Sequence, residues 1–477
     1  MKEEKNESKK SIYLAENNNN NINNLISMNN KINENEIEEK LEIINIDQND
    51  KNNECLKKEI KCINETAKKY LPIPIINNEF DFKYDISLNQ ILPVGLKNIG
   101  KSCFMNSCLQ CFYHCSKFTS ELLENHLEYE KMKCPVLSGY LEAIKSLYTN
   151  GKEYSKRKVF RLSNGNINKE YDNGCCCCKK GQIRENNKVI YYTNDTNPIS
   201  AIELYSYILN NYSNLSNNNG NDPKIVAEMI LSTMNKEIDS NFRYIRDRKI
   251  SKNDEALLFA HIFNYYKNNK TIISSNFYWI KERVSICNDC GKETYNFQSD
   301  YILYFYPEVI INGLNLKTYD NEYKYKLSLE NCFEYFHNSE QLDVNLFTCN
   351  HCNKRVKAKS ILDYMATLPK YLVVCLCKDK DNENPINYIF DYNQEIDLGK
   401  YYKKHPQNHD YSTKYKFHSG SFLNNKDTHI FAFCVHFDGA FYKFDDSVYK
   451  KYNYFQDCIS KFHSPYLLIY RRDDIDI

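Results

Sequence analysis

The sequence predicts an α+β fold, and three observations carry that expectation. Apolar residues recur at helical spacing over 103–118 and 223–269, for example at Ile225, Met229, Ile230 and Met234. From about residue 295 the pattern changes to short, alternating aromatic strands. Helices first and sheet second argue for segregated layers, not alternating βαβ units. The strand-rich part also holds two C-x-x-C pairs, Cys287 with Cys290 and Cys349 with Cys352, at a spacing that lets two thiolates of each pair reach one tetrahedral zinc.

In chain order, residues 1–88 are rich in Asn, Lys and Glu and poor in aromatics. Such a composition cannot bury enough apolar surface to offset the entropy of ordering, so a disordered tail is expected, open to a regulatory partner. The folded part is expected over 91–477, where LPVGLKN (92–98) raises the apolar content. A polar zone at about 150–222, broken by AIELYSYIL, reads as an insertion in a domain. A second, at about 378–426, mixes polar runs with short aromatic strands and is read the same way.

Lys plus Arg number 63 and Asp plus Glu 62, a net charge of +1. That balance gives no electrostatic case for a nucleic-acid or membrane-surface partner. The opening MKEEKNESKK lacks the apolar run of a secretory signal, and stretches such as YLVVCLC are too short to span a bilayer. The expectation is a cytoplasmic or nuclear protein whose 20 cysteines remain thiols, most of them small buried hydrophobes. The cysteine run 175–178 lies in the polar zone, and adjacent side chains on an extended loop diverge too far to share one ion.

One cysteine stands apart. In GLKNIGKSCFMN (95–106), Cys103 precedes an apolar, helix-like run, where unpaired backbone N–H groups and the positive end of the helix dipole favour a thiolate. Gly95 and Gly100 allow a tight turn before it, and the Asn98 amide is placed to donate to a tetrahedral oxyanion. A nucleophile needs a base and a group to orient the base. HIFAFCVHFDGAFYKFDDSV (429–448) supplies both: a strand begun by His429, a turn at HFDG, and a returning strand that sets Asp445 beside the imidazole.

Together the two ends carry a resemblance. GLKNIGKSCFMNSCLQ resembles the Cys box, and THIFAFC with FYKFDDSV and SPYLLIY the His box, of the ubiquitin-specific protease family of cysteine deubiquitinases. DEALLFAHIFNYY and TCNHCNKRVKAKSILDYMATLPKYLVVCL extend it through the middle of the chain. The resemblance implies a papain-like fold with a helical thumb (91–275), zinc-ribbon-like fingers (276–360) and a sheet palm (361–477). It implies a thiol-dependent hydrolase that cuts peptide or isopeptide bonds after the C-terminal glycine of ubiquitin, with ubiquitin and ubiquitinated proteins as partners. By position, Cys103 is the nucleophile, His429 the general base, Asp445 its orienting acid, Asn98 the oxyanion donor and Asp446 a second carboxylate near the imidazole. Asp254 falls where relatives bind the ubiquitin tail, whose arginines suit a carboxylate.

Lys101 stands where the family commonly has Asn, and Thr428 where it has Gly. Two other readings are a ubiquitin-binding pseudoenzyme or a protease for a related modifier. A zinc-organised nucleic-acid module finds the C-x-x-C pairs but no basic surface signal. The four thiolates of Cys287, Cys290, Cys349 and Cys352 would leave a zinc no open position, so its expected role is structural, with no catalytic cofactor.

Overall fold

Residues 371–376 (YLVVCL) and 430–435 (IFAFCV) are unbroken apolar runs, the pattern of strands covered on both faces and not on one. In the computed structural model of the chain every residue of both runs is buried. The structure describes Leu88 and residues 91–163, 198–211, 222–239, 255–317, 325–338, 346–377, 388–391, 393–424, 429–458 and 463–475. Nearly all of the expected tail 1–88, the cysteine run 175–178, Asp254 and Thr428 lie outside the described residues.

Helices come first: α1 (Cys103–Tyr113), α2 (Ser116–Glu124), α3 (His126–Lys131), α4 (Pro135–Ser163), α5 (Ile202–Asn211) and α6 (Pro223–Glu228). A π-helical turn (Met229–Thr233) joins α6 to α7 (Met234–Ile238), and α8 (Glu255–Asn268) and α9 (Ile272–Phe277) complete the helical half. Then follow β1 (Trp279–Cys287), β2 (Glu293–Asp300), β3 (Ile302–Phe305), α10 (Pro307–Gly313), β4 (Tyr325–Ser328), α11 (Leu329–His337), β5 (Leu346–Cys349), β6 (Lys354–Met365) and β7 (Tyr371–Leu376). The last part holds β8 (Tyr388–Asp391), β9 (Glu395–Asp397), β10 (Lys414–Asn424), β11 (Ile430–Val435), β12 (Phe441–Asp445), β13 (Val448–Tyr452), α12 (Phe455–Cys458) and β14 (His463–Arg472). Both classes of element are present in the expected order, so the fold is α+β.

The larger sheet runs β13-β12-β11-β10-β14-β7-β3, with β9 paired to β10. Its pairs are antiparallel except β3 with β7. One face packs against α1, whose eleven residues are all buried, so this helix is the central post of the helical half and not a surface element. The opposite face packs against α10 and α11. A second, four-stranded sheet, β2-β1-β6-β5, projects the two C-x-x-C turns at its far end.

The stretch at about 378–426 corrects an expectation. Its C-terminal part is not inserted matter: KYKFHSGSFLN is β10, bonded to β11, β14 and β9. The polar residues that disguise it face the backbone and side chains of α1. Ser421 Oγ meets Ser107 Oγ at 2.7 Å, Ser419 Oγ donates to the Cys111 carbonyl at 3.2 Å, and His418 Nε2 donates to the His114 carbonyl at 2.7 Å. The zone at about 150–222 is likewise narrower than its composition suggests. Helix α4 continues to Ser163, Ile199 bridges to Leu96, and α5 buries Leu204, Tyr205 and Ile208.

Candidate active site

Helix α1 starts at Cys103 because the preceding loop is bound to itself. The Asn98 Oδ1 accepts the Gly100 and Ser102 N–H groups at 3.2 Å each, and Ser102 Oγ accepts the Ile99 N–H at 3.0 Å. Gly100 has φ +102° and Lys101 φ +52°, so the left-handed turn spans both. Asparagine tolerates that conformation better than lysine does, and lysine is what this chain carries there. The two glycines before Cys103 serve different ends. Gly95 has no positive φ; a Cβ there would lie 2.5 Å from the Ser447 carbonyl oxygen, so its role is close approach.

That approach brings the two ends of the chain together. The Leu96 N–H donates to the Asp446 carbonyl at 2.9 Å, while the β12–β13 turn places Asp446 at φ +51°. The hairpin has the expected antiparallel register, Ala432 opposite Phe444 through Val435 opposite Phe441, with the turn at HFDG closed by the Gly439 N–H on the His436 carbonyl at 2.8 Å. His429 precedes β11 and Asp445 ends β12, and His429 Nε2 lies 2.6 Å from Asp445 Oδ1. The backbone N–H groups of Ile430, one residue on from His429, and of Phe104 and Cys103 at the helix start lie close enough to the Cys103 sulfur to act on its charge.

The electrostatics differ from the sequence expectation in one respect. Cys103 is only 7% exposed, and burial pushes its thiol above the ordinary value of 9.0. The three N–H groups pull the other way, and the Asp446 charge adds to the rise. The helix N-terminus is therefore present but outweighed by desolvation. Burial also acts to raise Asp445, yet the Lys443 ammonium and then His429 hold its carboxyl below the usual range.

Asp446 was expected near the imidazole; its carboxylate is 3.8 Å from His429 Nε2 and spends its hydrogen bonds elsewhere. Oδ2 accepts from Asn98 Nδ2 at 2.9 Å and Oδ1 from Asn106 Nδ2 at 2.8 Å. Since Asn98 Oδ1 is occupied by two backbone donors, its amide orientation is fixed, with one N–H on Asp446 and a second left to point elsewhere. Asn106 and Tyr205 were not found from sequence. Asn106 also holds the Lys97 carbonyl at 3.1 Å, and the Tyr205 hydroxyl donates to the Gly100 carbonyl. A polar side chain three residues into a wholly buried helix was the available signal for Asn106; Tyr205 had none, because it comes from the zone read as an insertion.

At the far end of the four-stranded sheet, the Sγ atoms of Cys287, Cys290, Cys349 and Cys352 lie within 4.8 Å of one another. Cys287 to Cys352 is 3.9 Å and Cys290 to Cys349 is 3.8 Å. Sulfurs about 2.3 Å from a tetrahedral zinc stand about 3.8 Å apart, so this donor set fits the ion. The two turns repeat one design. Gly291 and Asn353, each just after the second cysteine, have φ +69° and +51°, and each N–H donates at 2.9 Å to the carbonyl of its first cysteine. Asp254 lies outside the described residues; its neighbour Glu255, at the start of α8, pairs with Lys403 at 2.8 Å. Lys403 also holds the wholly buried Glu282, which His405 bonds at 2.8 Å.

Three comparisons bear on these sites. The family model described as Ubiquitin carboxyl-terminal hydrolase matches residues 94–470. A curated relative, Ubiquitin carboxyl-terminal hydrolase 7 of Saccharomyces cerevisiae, is 23% identical over 294 residues, which cover 58% of this chain and 23% of the relative. The match thus spans about a quarter of that protein. Among solved structures, a chain of the SAGA Ubp8/Sgf11/Sus1/Sgf73 DUB module bound to ubiquitin aldehyde is 15% identical, with TM-score 0.49, covering 82% of this chain and 72% of that one. A chain of the SAGA DUB module bound to monoubiquitin gives 15% identity and TM-score 0.49, with 87% and 76% covered.

Proposed function

Because the chain belongs to the ubiquitin carboxyl-terminal hydrolase family, a family of cysteine-type ubiquitin hydrolases, we propose that it hydrolyses the peptide or isopeptide bond after the C-terminal glycine of ubiquitin. In this reading Cys103 is the nucleophile, His429 the general base and Asp445 the acid that orients it. The observation that supports it most is the meeting of chain segments more than 300 residues apart: Asn98 Nδ2 and the Leu96 N–H both reach Asp446 at 2.9 Å, next to the His429–Asp445 bond of 2.6 Å.

The chemistry follows from those atoms. His429 Nδ1 takes the thiol proton as the sulfur attacks the carbonyl carbon, and Asp445 on Nε2 favours the imidazolium that forms. A thiol raised by burial is mostly protonated at rest, so proton transfer to His429 accompanies attack. The oxyanion is met by the second Asn98 N–H and by the helix-start N–H of Cys103. His429 then protonates the departing amine, leaving a thioester, and afterwards deprotonates the water that hydrolyses it. Asp446 acts through Asn98: it holds the amide so that the second N–H has one direction.

At the fingers, the reading assigns a structural zinc to the four cysteines. It would supply folding energy to a sheet end whose cluster among the described residues is small, Cys287, Cys349 and Val356 with Phe347 and Cys352 packed against them, and it would take no part in the reaction. The test of function is ubiquitin bearing a C-terminal electrophile, run beside related modifiers with the same group. An adduct on Cys103 with ubiquitin is expected; labelling by another modifier in preference, or at another cysteine, overturns the assignment.

A further inference from the structure

The carboxylate of Asp445 has two oxygens and two different partners. Oδ1 faces His429 Nε2 at 2.6 Å, and Oδ2 faces the Lys443 ammonium at 2.8 Å. Lys443 lies two residues before Asp445 on β12, so both side chains leave the same face of the strand. On the neighbouring strand the Phe431 ring lies under the ammonium, 4.1 Å from centroid to Nζ. Lys443 pairs with Phe433 on β11 and with Lys450 on β13. The lysine is therefore held by an aromatic face below it and a carboxylate beside it, about a quarter exposed to solvent.

From this geometry we propose that Lys443 is a positioning residue for the proposed hydrolysis: it grips one oxygen of Asp445 so that the other is presented to His429, and its charge tempers the field the carboxylate exerts on the imidazole. Nothing in the family assignment requires this lysine; the inference rests on the proposed roles of His429 and Asp445. Against the effect of burial, Lys443 and His429 together draw Asp445 below the usual carboxylate range, in keeping with both contacts.

Two consequences oppose each other at one residue. Without Lys443 the carboxylate is free to rotate about its side-chain bonds, so the His429 contact is made only part of the time. Whenever it is made, the uncompensated charge stabilises the imidazolium more strongly than before. The other charged groups placed here are Asp446, 3.8 Å from His429 Nε2, and Lys450, opposite Lys443 across the strand pair. None of these is altered by a change at residue 443.

The experiment follows the His429 ring by NMR through a pH titration in a Cys103→Ala background, with the signal assigned by its loss in His429→Gln. Lys443→Met should raise the titration midpoint by about half a unit to one unit, as expected for losing a cation one carboxylate away in a partly screened site. Lys443→Gln should do the same, and Lys443→Arg should leave the midpoint near that of the parent. With Cys103 intact, Lys443→Met should lower kcat on a ubiquitin C-terminal fluorogenic substrate roughly three- to tenfold at unchanged KM, and Lys443→Arg should restore it. A midpoint unmoved in both Met and Gln variants overturns the proposal, as does equal loss of kcat in Met and Arg variants. The titration needs no ubiquitin, so it judges Lys443 even if the substrate assignment fails.

Discussion

The proposed catalytic cleft and the cysteine cluster of the fingers are both built around thiols, but they are assembled in opposite ways. The finger site is two copies of one local turn, each closing on its own backbone bond and each ending in a residue with positive φ. A single strand pairing, β1 with β6, brings them together. The cleft has no such local unit. Asn98 and Asn106 reach Asp446, and Cys103 is brought toward the strand pair that carries the His429–Asp445 bond, only because the loop before α1 docks against the β12–β13 turn. The fingers place the four cysteine sulfurs by short-range geometry, and the cleft places the proposed nucleophile, base and acid by long-range packing. A change in one should leave the other standing, whereas changes within the cleft should be coupled to one another.

The largest test of that separation is Cys103→Ala. Hydrolysis of a ubiquitin C-terminal substrate should fall by about 10⁴-fold or more, while metal content and thermal unfolding stay close to wild type. Retained turnover would remove the nucleophile assignment.

Coupling within the cleft is the next test. Asn98→Ala should lower kcat by roughly 10²- to 10³-fold with little change in KM, as for loss of an oxyanion donor. If Asp446 acts by aiming that amide, Asp446→Ala should cost nearly as much alone and add little in the Asn98→Ala background. Additive losses in the double variant would place Asp446 on His429 after all.

From the other side, Cys349→Ser or a strong chelator should release about one zinc per chain and loosen the finger sheet. Alkylation of Cys103 by iodoacetamide should stay within about twofold of wild type. A chain that holds no metal and unfolds cooperatively regardless of chelator would show four ordinary thiols instead.

The smallest expected effect is in acid. Asp445 has a depressed pKa in the folded state, so its contribution is present above the unfolded carboxylate value and is lost as pH falls through the lower folded one. Compared with Asp445→Asn, wild type should be more stable at neutral pH by less than about 1 kcal/mol, since the side chain is over a third exposed and screened. The gap should close below roughly pH 4 in urea unfolding at stepped pH. A gap that widens in acid would contradict the Lys443 and His429 contacts.

What the sequence determined by itself was whatever depends on neighbours along the chain. The start of α1 at Cys103, the HFDG hairpin and the two C-x-x-C turns were legible because a few adjacent residues set their backbone geometry. Tertiary structure alone decided the rest. β10 reads as polar because Ser419, Ser421 and His418 satisfy partners on α1, and composition cannot reveal a partner 300 residues away. The same limit hid Tyr205 on Gly100, Lys443 on Asp445 and the Asn98 and Asn106 contacts of Asp446. It also concealed the rise in the Cys103 thiol, since a helix start is written in the sequence while the depth at which the fold buries it is not.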